Sequence, residues 1–239
     1  MITLYKHFSF DLWLTLIKSN PQFKKLRSKI FHEQYNFMGK TLEEVEYIFR
    51  QVDLMCNAVN EKTGKNVDAD EMYLMVISLI NNNQTSLHDI DADALYLQME
   101  NLLFENLPLV YCNRTPDVLS KIKEQEGTTI NILSNTGFIK GVTLRKVLNE
   151  LGIAGYFDFQ FYSDEEGFSK PNQAFYQLML NKVSALKNIP LSQIIHVGDN
   201  VITDYEGAKA VGINALLVNS NDTRITNLLT HAPQDIFTA

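Results

Sequence analysis

Apolar positions along the chain change their period twice. Residues 2 to 10 hold Ile2, Leu4, Tyr5, Phe8 and Phe10, a β-branched and aromatic run of strand length that stops at Asp11. The next hundred residues carry apolar side chains three and four apart. They fall into four sets: Phe23, Leu26, Ile30 and Phe31; Val45, Ile48, Phe49, Val52, Met55 and Cys56; Met72, Met75, Val76, Leu79 and Ile80; and Leu95, Met99, Leu102 and Leu103. That spacing lines one face of a helix, so the segment reads as four amphipathic helices. Thr41 followed by Glu44 has capping-box spacing and starts the second, while Gly64 and the polar run from Asn81 to Gln84 separate others.

From about Thr115 short apolar runs alternate with amphipathic segments. Strands are expected over 129–133, 157–162, 194–197 and 215–218, and helices over 115–124, 141–151, 172–183 and 203–211, two of them ending at Gly152 and Gly212. Strands alternating with helices of this length imply right-handed crossovers and a parallel sheet covered on both faces, an α/β class. The N-terminal strand belongs with this later set, so a helical insert separates it from its partners.

Composition narrows the class further. The chain has 239 residues, 45% hydrophobic and 21% charged, enough to bury a substantial core. A net charge of −7 argues against a nucleic-acid binder or a protein that coats anionic membranes, both of which need a concentrated positive surface. Cys56 and Cys112 are the only cysteines, too few for a disulfide framework or a zinc site, and suit a reducing compartment. Asp11 interrupts the apolar start, no small-residue cleavage site follows, and no run reaches the roughly 18 apolar residues of a membrane span. The expected setting is cytoplasmic.

In an open parallel sheet, ligands bind beyond the carboxyl ends of the strands. Asp11 follows the first strand, Ser134 and Asn135 the second, Ser163 and Asp164 the third with Lys170 a short loop later, and Asp199 and Asn200 the fourth with Asp204 beyond. An ionised Asp11 can attack an electrophilic phosphorus or carbon without a base. Asp11, Asp199 and Asp204 supply oxygen ligands suited to Mg²⁺, while Ser134 and Lys170 can hold phosphate oxygens.

The strings FDLWLTL, ILSN, SKP and VGDNVITD occur in the order found in the haloacid dehalogenase superfamily, which the sequence resembles. The resemblance implies a Rossmann-like core over 1–16 and 113–239 with a helical cap domain over 17–112. It further implies that Asp11 is the nucleophile and that Ser134 and Lys170 bind the transferring group. Asp11, Asp199 and Asp204 would hold Mg²⁺ together with the main-chain carbonyl of Trp13. The substrate side would include Ser134, Asn135, Lys170 and Trp13, and the ligand would be a small phosphorylated molecule.

The first string departs from the family's phosphatases, which read D-x-D-G-T. Here Trp13 replaces the second aspartate, the usual general acid and base, and Leu14 replaces the glycine. Family dehalogenases and a phosphonate-cleaving branch share that loss, but the dehalogenases work without metal and tend to replace the acid at position 199. The phosphonate branch needs a cap lysine, for which Lys18, Lys24 and Lys25 are available. A noncatalytic binding protein of the same fold is the remaining alternative. The expected activity is a Mg²⁺-dependent phosphohydrolase that favours leaving groups of low pKa.

Each residue also has a plainer reading. Trp13 can fill space between core and cap, Ser134 can close a turn, Asp204 can satisfy a helix N-terminus, and His196 can make a structural hydrogen bond in a buried strand. Lys24, Lys25, Arg27 and Arg50 could meet an anionic substrate or be solvated charges on amphipathic helices.

Overall fold

A computed structural model describes residues 2–230. Its elements run β1 (His7–Phe10), β2 (Ile17–Lys18), α1 (Pro21–Gln34), α2 (Leu42–Thr63), α3 (Ala69–Ile80), α4 (Ala92–Glu105), β3 (Leu109–Val110), α5 (Thr115–Lys123), β4 (Thr129–Ser134), α6 (Gly141–Glu150), β5 (Phe159–Tyr162), α7 (Ser163–Glu166), α8 (Gln173–Leu186), β6 (Ile194–Gly198), α9 (Gly207–Ala210) and β7 (Asn214–Leu217). Met1 and 231–239, the two ends of the expected core segments, lie outside the described residues.

β5, β4, β1, β6 and β7 form one sheet in that order, every pair parallel. This is the expected α/β, Rossmann-like architecture. Alternation along β1 sends Phe8 and Phe10 into an apolar cluster with Val118, Leu119 and Leu144 of α5 and α6. The opposite face packs Leu133 and Ile194 against Phe175, Tyr176 and Met179 of α8. β1 is central, so its carboxyl end opens in the middle of the sheet edge.

The first strand is shorter than the apolar run predicts. Ile2–Leu4 form a 3₁₀ turn, and pairing begins at His7, opposite Thr129 of β4 and Ile194 of β6. Both neighbours start at that level, so residues 2–5 have no strand to pair with, and Ile2 and Tyr5 bury their side chains instead. The expected helix 203–211 is also different: a π-helical turn over Val201–Glu206 precedes the four-residue α9.

The helical segment follows the sequence pattern closely. Thr41 and Glu44 exchange both bonds of the capping box that starts α2, and Gly64, at φ +67°, closes it. Phe31, Val45, Phe49, Val52, Met72, Val76 and Leu95 build its apolar interior, to which Phe138 contributes from the loop after β4. The chain enters and leaves this segment through an antiparallel ribbon, β2 with β3, which pairs Ile17 with Val110. Further along, the Gly64 carbonyl accepts from Ser169 N at 3.0 Å and Asn172 Nδ2 at 3.1 Å, so the turn after α2 rests on the loop that carries Lys170. Among the described residues no helix is long and apolar enough to cross a membrane.

Candidate active site

Asp11 is held at the end of β1 by its own backbone, whose N–H donates to the Val197 carbonyl of β6 at 2.9 Å. The chain then turns sharply. Leu16 and Ile17 N–H groups both donate back to the Leu12 carbonyl, and Leu14 N–H donates to Ile17 at 2.7 Å with Leu14 at φ +59°. The family's glycine position therefore does adopt the left-handed backbone that glycine favours, and here a leucine occupies it. Asn219 fastens the turn from β7's side, donating to the Leu14 carbonyl at 2.8 Å.

Lys170 arrives from the loop before α8 and is 1% exposed. Asn135 latches its backbone in both directions, accepting from Lys170 N at 2.7 Å and donating to its carbonyl at 3.0 Å. The ammonium donates to Asp11 Oδ1 at 2.8 Å and to Asp204 Oδ1 at 2.6 Å. Asp204 is fixed further by His196 Nε2 at 3.1 Å and by the Asn200 N–H, which donates to Oδ2 at 3.0 Å. A Cβ on Gly198 would meet the Asp204 carboxyl, so the bare glycine is what lets this acid fold back over the strand end. His196 completes a buried chain, its Nδ1 2.9 Å from Ser9 Oγ, and so makes the structural hydrogen bonds expected of a strand histidine.

Asp11, Asp199 and Asp204 bring one oxygen each within 4.8 Å of one another. Their electrostatics differ. Burial, opposed by Lys170, pushes Asp11 up to about 6, and burial together with the charges of Asp11 and Asp204 pushes Asp199 up to about 7. Burial also works against the Asp204 carboxylate, but Lys170 and His196 hold it well below the usual range. The desolvation that would strip Lys170 of its proton is outweighed by the same two acids. Three carboxylates thus lie beside one ammonium that bonds only two of them, and the edge has an excess of negative charge that a divalent cation would neutralise. The Trp13 carbonyl accepts no hydrogen bond among the described residues, leaving it free as a fourth oxygen. This donor set fits Mg²⁺, with Asp204 the most committed member, since only one Oδ2 lone pair is left.

The other expected residues divide. Ser134 ends β4, is fully buried, and donates to the Asn135 carbonyl at 3.1 Å. Trp13 and Asn135 line a cleft of about 610 Å³ between the sheet edge and helices α1 and α2, together with Asp11, Lys170, Asp199 and Asp204. Ser163 and Asp164 serve the fold: Ser163 accepts from Thr136 N–H, and Asp164 accepts from Gly141 N–H at the start of α6. Asn200 closes the turn before Asp204 by accepting from Ile202 and Thr203 N–H groups. Sequence reasoning missed Thr15, whose hydroxyl donates to Asp11 Oδ2 at 3.1 Å and lies 3.5 Å from Asp199 Oδ1. Its position four residues after Asp11, on the far side of a tight turn, was the available signal.

Residues 5–212 match the haloacid dehalogenase-like hydrolase family. The 5-amino-6-(5-phospho-D-ribitylamino)uracil phosphatase YigB of Escherichia coli is 32% identical over 95 residues, 39% of this chain and 38% of that protein. The chain spans less than half the length of the curated relatives it matches. Among solved structures, YfnB of Bacillus subtilis, with magnesium bound, superposes at a TM-score of 0.69 with 17% identity, covering 92% of this chain and 91% of that one. The L-2-haloacid dehalogenase of Xanthobacter autotrophicus superposes at 0.59 with 17% identity, covering 90% and 77%. These structural likenesses are of fold. The family match runs from β1 through α9 and includes every residue of the acidic edge, and the chain belongs to the haloacid dehalogenase-like hydrolases.

Proposed function

We propose that this hydrolase is a Mg²⁺-dependent phosphatase that transfers a phosphoryl group from a small molecule to Asp11 and then to water. The observation that carries this reading is the gathering of Asp11, Asp199 and Asp204 at one edge, where the single Lys170 ammonium pairs with Asp11 and Asp204 and leaves Asp199 without a cationic partner. Bound there by Asp11, Asp199, Asp204 and the Trp13 carbonyl, Mg²⁺ would supply Lewis-acid neutralisation of phosphate charge.

The protein's own groups do the rest. Thr15 and Lys170 fix the two Asp11 oxygens, which aims the carboxylate without a base to activate it. Lys170 has three donors and spends two on Asp11 and Asp204, so one remains for a phosphate oxygen. Attack by Asp11 forms an aspartyl-phosphate as the bond to the leaving oxygen breaks. Water then cleaves the acyl phosphate, returning the carboxylate and releasing inorganic phosphate. Ser134 and Asn135 shape the phosphate side, and residues 17–112 act as the cap that covers it. Because Trp13 cannot transfer a proton, the leaving group departs without the usual acid, which favours acyl and aryl phosphates.

YigB, named as a phosphatase, supports this reading. Loss of the second acid and the likeness to a dehalogenase favour displacement of halide instead. Asp199 weighs against that route, because a metal-free site gains nothing from a third carboxylate pushed up to about 7. The test is phosphate release from an aryl phosphate with Mg²⁺, with chelator, and in Asp11→Asn. Turnover that needs both metal and Asp11 is expected; halide release from a 2-haloacid without metal would overturn the proposal.

A further inference from the structure

Three cations that line the cleft, Lys24, Lys25 and Arg27, form no ion pair among the described residues, and only Arg27 is buried. Arg27 belongs to α1 and is 8% exposed. Its guanidinium carbon lies 4.0 Å from the Phe49 ring centroid, 4.6 Å from Phe138 and 5.5 Å from Phe23. Aromatic faces stabilise the charge but accept no hydrogen bonds in the guanidinium plane. The buried Tyr73 hydroxyl is the one hydrogen-bonding group set against the guanidinium, and Asp53 acts on it only through its charge, so no carboxylate meets the fork directly. Arg27 Nε is buried with no hydrogen-bond acceptor, and burying a charged donor unsatisfied is costly, so native proteins rarely do so without a use. Arg50 differs: it is largely exposed and already bound to Asp53 at 3.1 Å.

The aromatic sandwich does two things to Arg27. It desolvates the cation, which strengthens attraction for an anion entering the cleft, and it holds the planar fork in one orientation, which suits a two-oxygen acceptor. Phe138 comes from the loop that follows Ser134 and Asn135, whereas Phe23 and Phe49 belong to the helical segment, so the sandwich forms only where the two sides meet across the cleft.

We infer that Arg27 receives a second anionic oxyacid group of the substrate, a carboxylate or a further phosphate, at the end remote from the phosphoryl group that Asp11 attacks. The inference deepens the phosphatase reading and rests on it. It makes the substrate a bis-anion, one end on Lys170 and the other on Arg27.

The test avoids turnover. Non-hydrolysable ω-phosphonocarboxylates of increasing chain length, α,ω-bisphosphonates and plain alkylphosphonates of matched length are titrated with Mg²⁺ present, following Trp13, the only tryptophan and a cleft residue. At one chain length, a compound with the second anion is expected to bind about tenfold or more tighter than its alkylphosphonate, and Arg27→Met to bring the two within about twofold. Arg27→Lys should recover part of the difference, and Arg50→Met should leave it in place. The two bis-anion series tell carboxylate from phosphate. Equal binding of all three series by the wild-type protein would overturn the inference while leaving the phosphate site standing, as would a preference that depends on Arg50 rather than Arg27. Failure of every phosphonate to bind would overturn both.

Discussion

The Lys170 ammonium lies 2.8 Å from Asp11 Oδ1, joining side chains 159 residues apart in a pocket that water scarcely reaches. The same ammonium reaches Asp204 at 2.6 Å, so one buried cation holds two buried acids. Such a pair is weak evidence of net stabilisation, but breaking it is costly because the charges left behind have no solvent. Lys170→Met is expected to destabilise the metal-free protein by about 3–5 kcal/mol near neutral pH. The loss should shrink on acidification, since Asp11 and Asp204 then take protons in place of the lysine. Denaturant unfolding of both proteins at neutral and mildly acid pH reads this directly, and a deficit that grows as pH falls would contradict it.

Asp199 gives the second prediction. Its carboxyl is raised from 3.8 to about 7 and that of Asp11 to about 6, so at these two groups the folded state holds more protons than the unfolded state between about pH 4 and 7. Stability contributed by a raised acid is present when it is protonated and declines as pH rises through that window. His7, buried and lowered to about 4, acts in the opposite sense between about 4 and 6.5. The readout is therefore the difference between wild type and Asp199→Asn. Without metal, the variant should gain melting temperature relative to wild type as pH rises from 5 to 8, and Mg²⁺ should stabilise wild type more at pH 8 than at pH 5. Parallel melting curves at every pH would rule out this site as the source.

Leu14 sits at φ +59° and is 52% exposed, so its side chain adds little packing to offset a backbone that L-residues avoid. The left-handed region costs a leucine about 1–2 kcal/mol, and glycine's extra freedom in the unfolded chain returns part of the gain. Leu14→Gly is expected to stabilise the protein by about 0.5–1 kcal/mol in denaturant unfolding. Destabilisation would mean that Leu14 contributes contacts across the cleft that outweigh its backbone.

Much of this fold could be read from periodicity, because the helices of the insert and the strands of the sheet each keep one period over their length. The acidic edge was legible for a related reason: the residue after a parallel strand falls at the carboxyl edge whatever the intervening loops do. What escaped was short or tertiary. The β2–β3 ribbon has two residues a side, too few for a period to register. The apolar run over 2–10 outlasts the strand, which begins at His7, because apolar content does not reveal where neighbouring strands begin. Arg27 looked like its neighbours Lys24 and Lys25 on a helix, and only the arrival of Phe138 from the loop after β4 distinguishes it. Thr15 reaches Asp11 through a turn whose geometry depends on a left-handed leucine that propensity disfavours.

Trp13 supplies the last prediction. It lines the cleft two residues after Asp11, where the family's phosphatases carry the acid that protonates the leaving oxygen. With an indole there, rate should depend steeply on leaving-group pKa, since the oxygen must leave as an anion. An aryl phosphate, whose leaving group is already stable without a proton, loses little; an alkyl phosphate loses most. Trp13→Asp places a proton donor at that position and leaves the backbone carbonyl in place. It should raise the alkyl-to-aryl ratio of kcat/KM by a factor on the order of 10²–10⁴ and flatten the dependence on leaving-group pKa. Measuring the two slopes with the same series of phosphate esters separates acid catalysis from binding, because lost indole packing would shift KM across the whole series without changing the slope. A flat slope in the wild-type protein would mean that another group in the cleft already donates the proton, and Trp13→Asp would then change the ratio little.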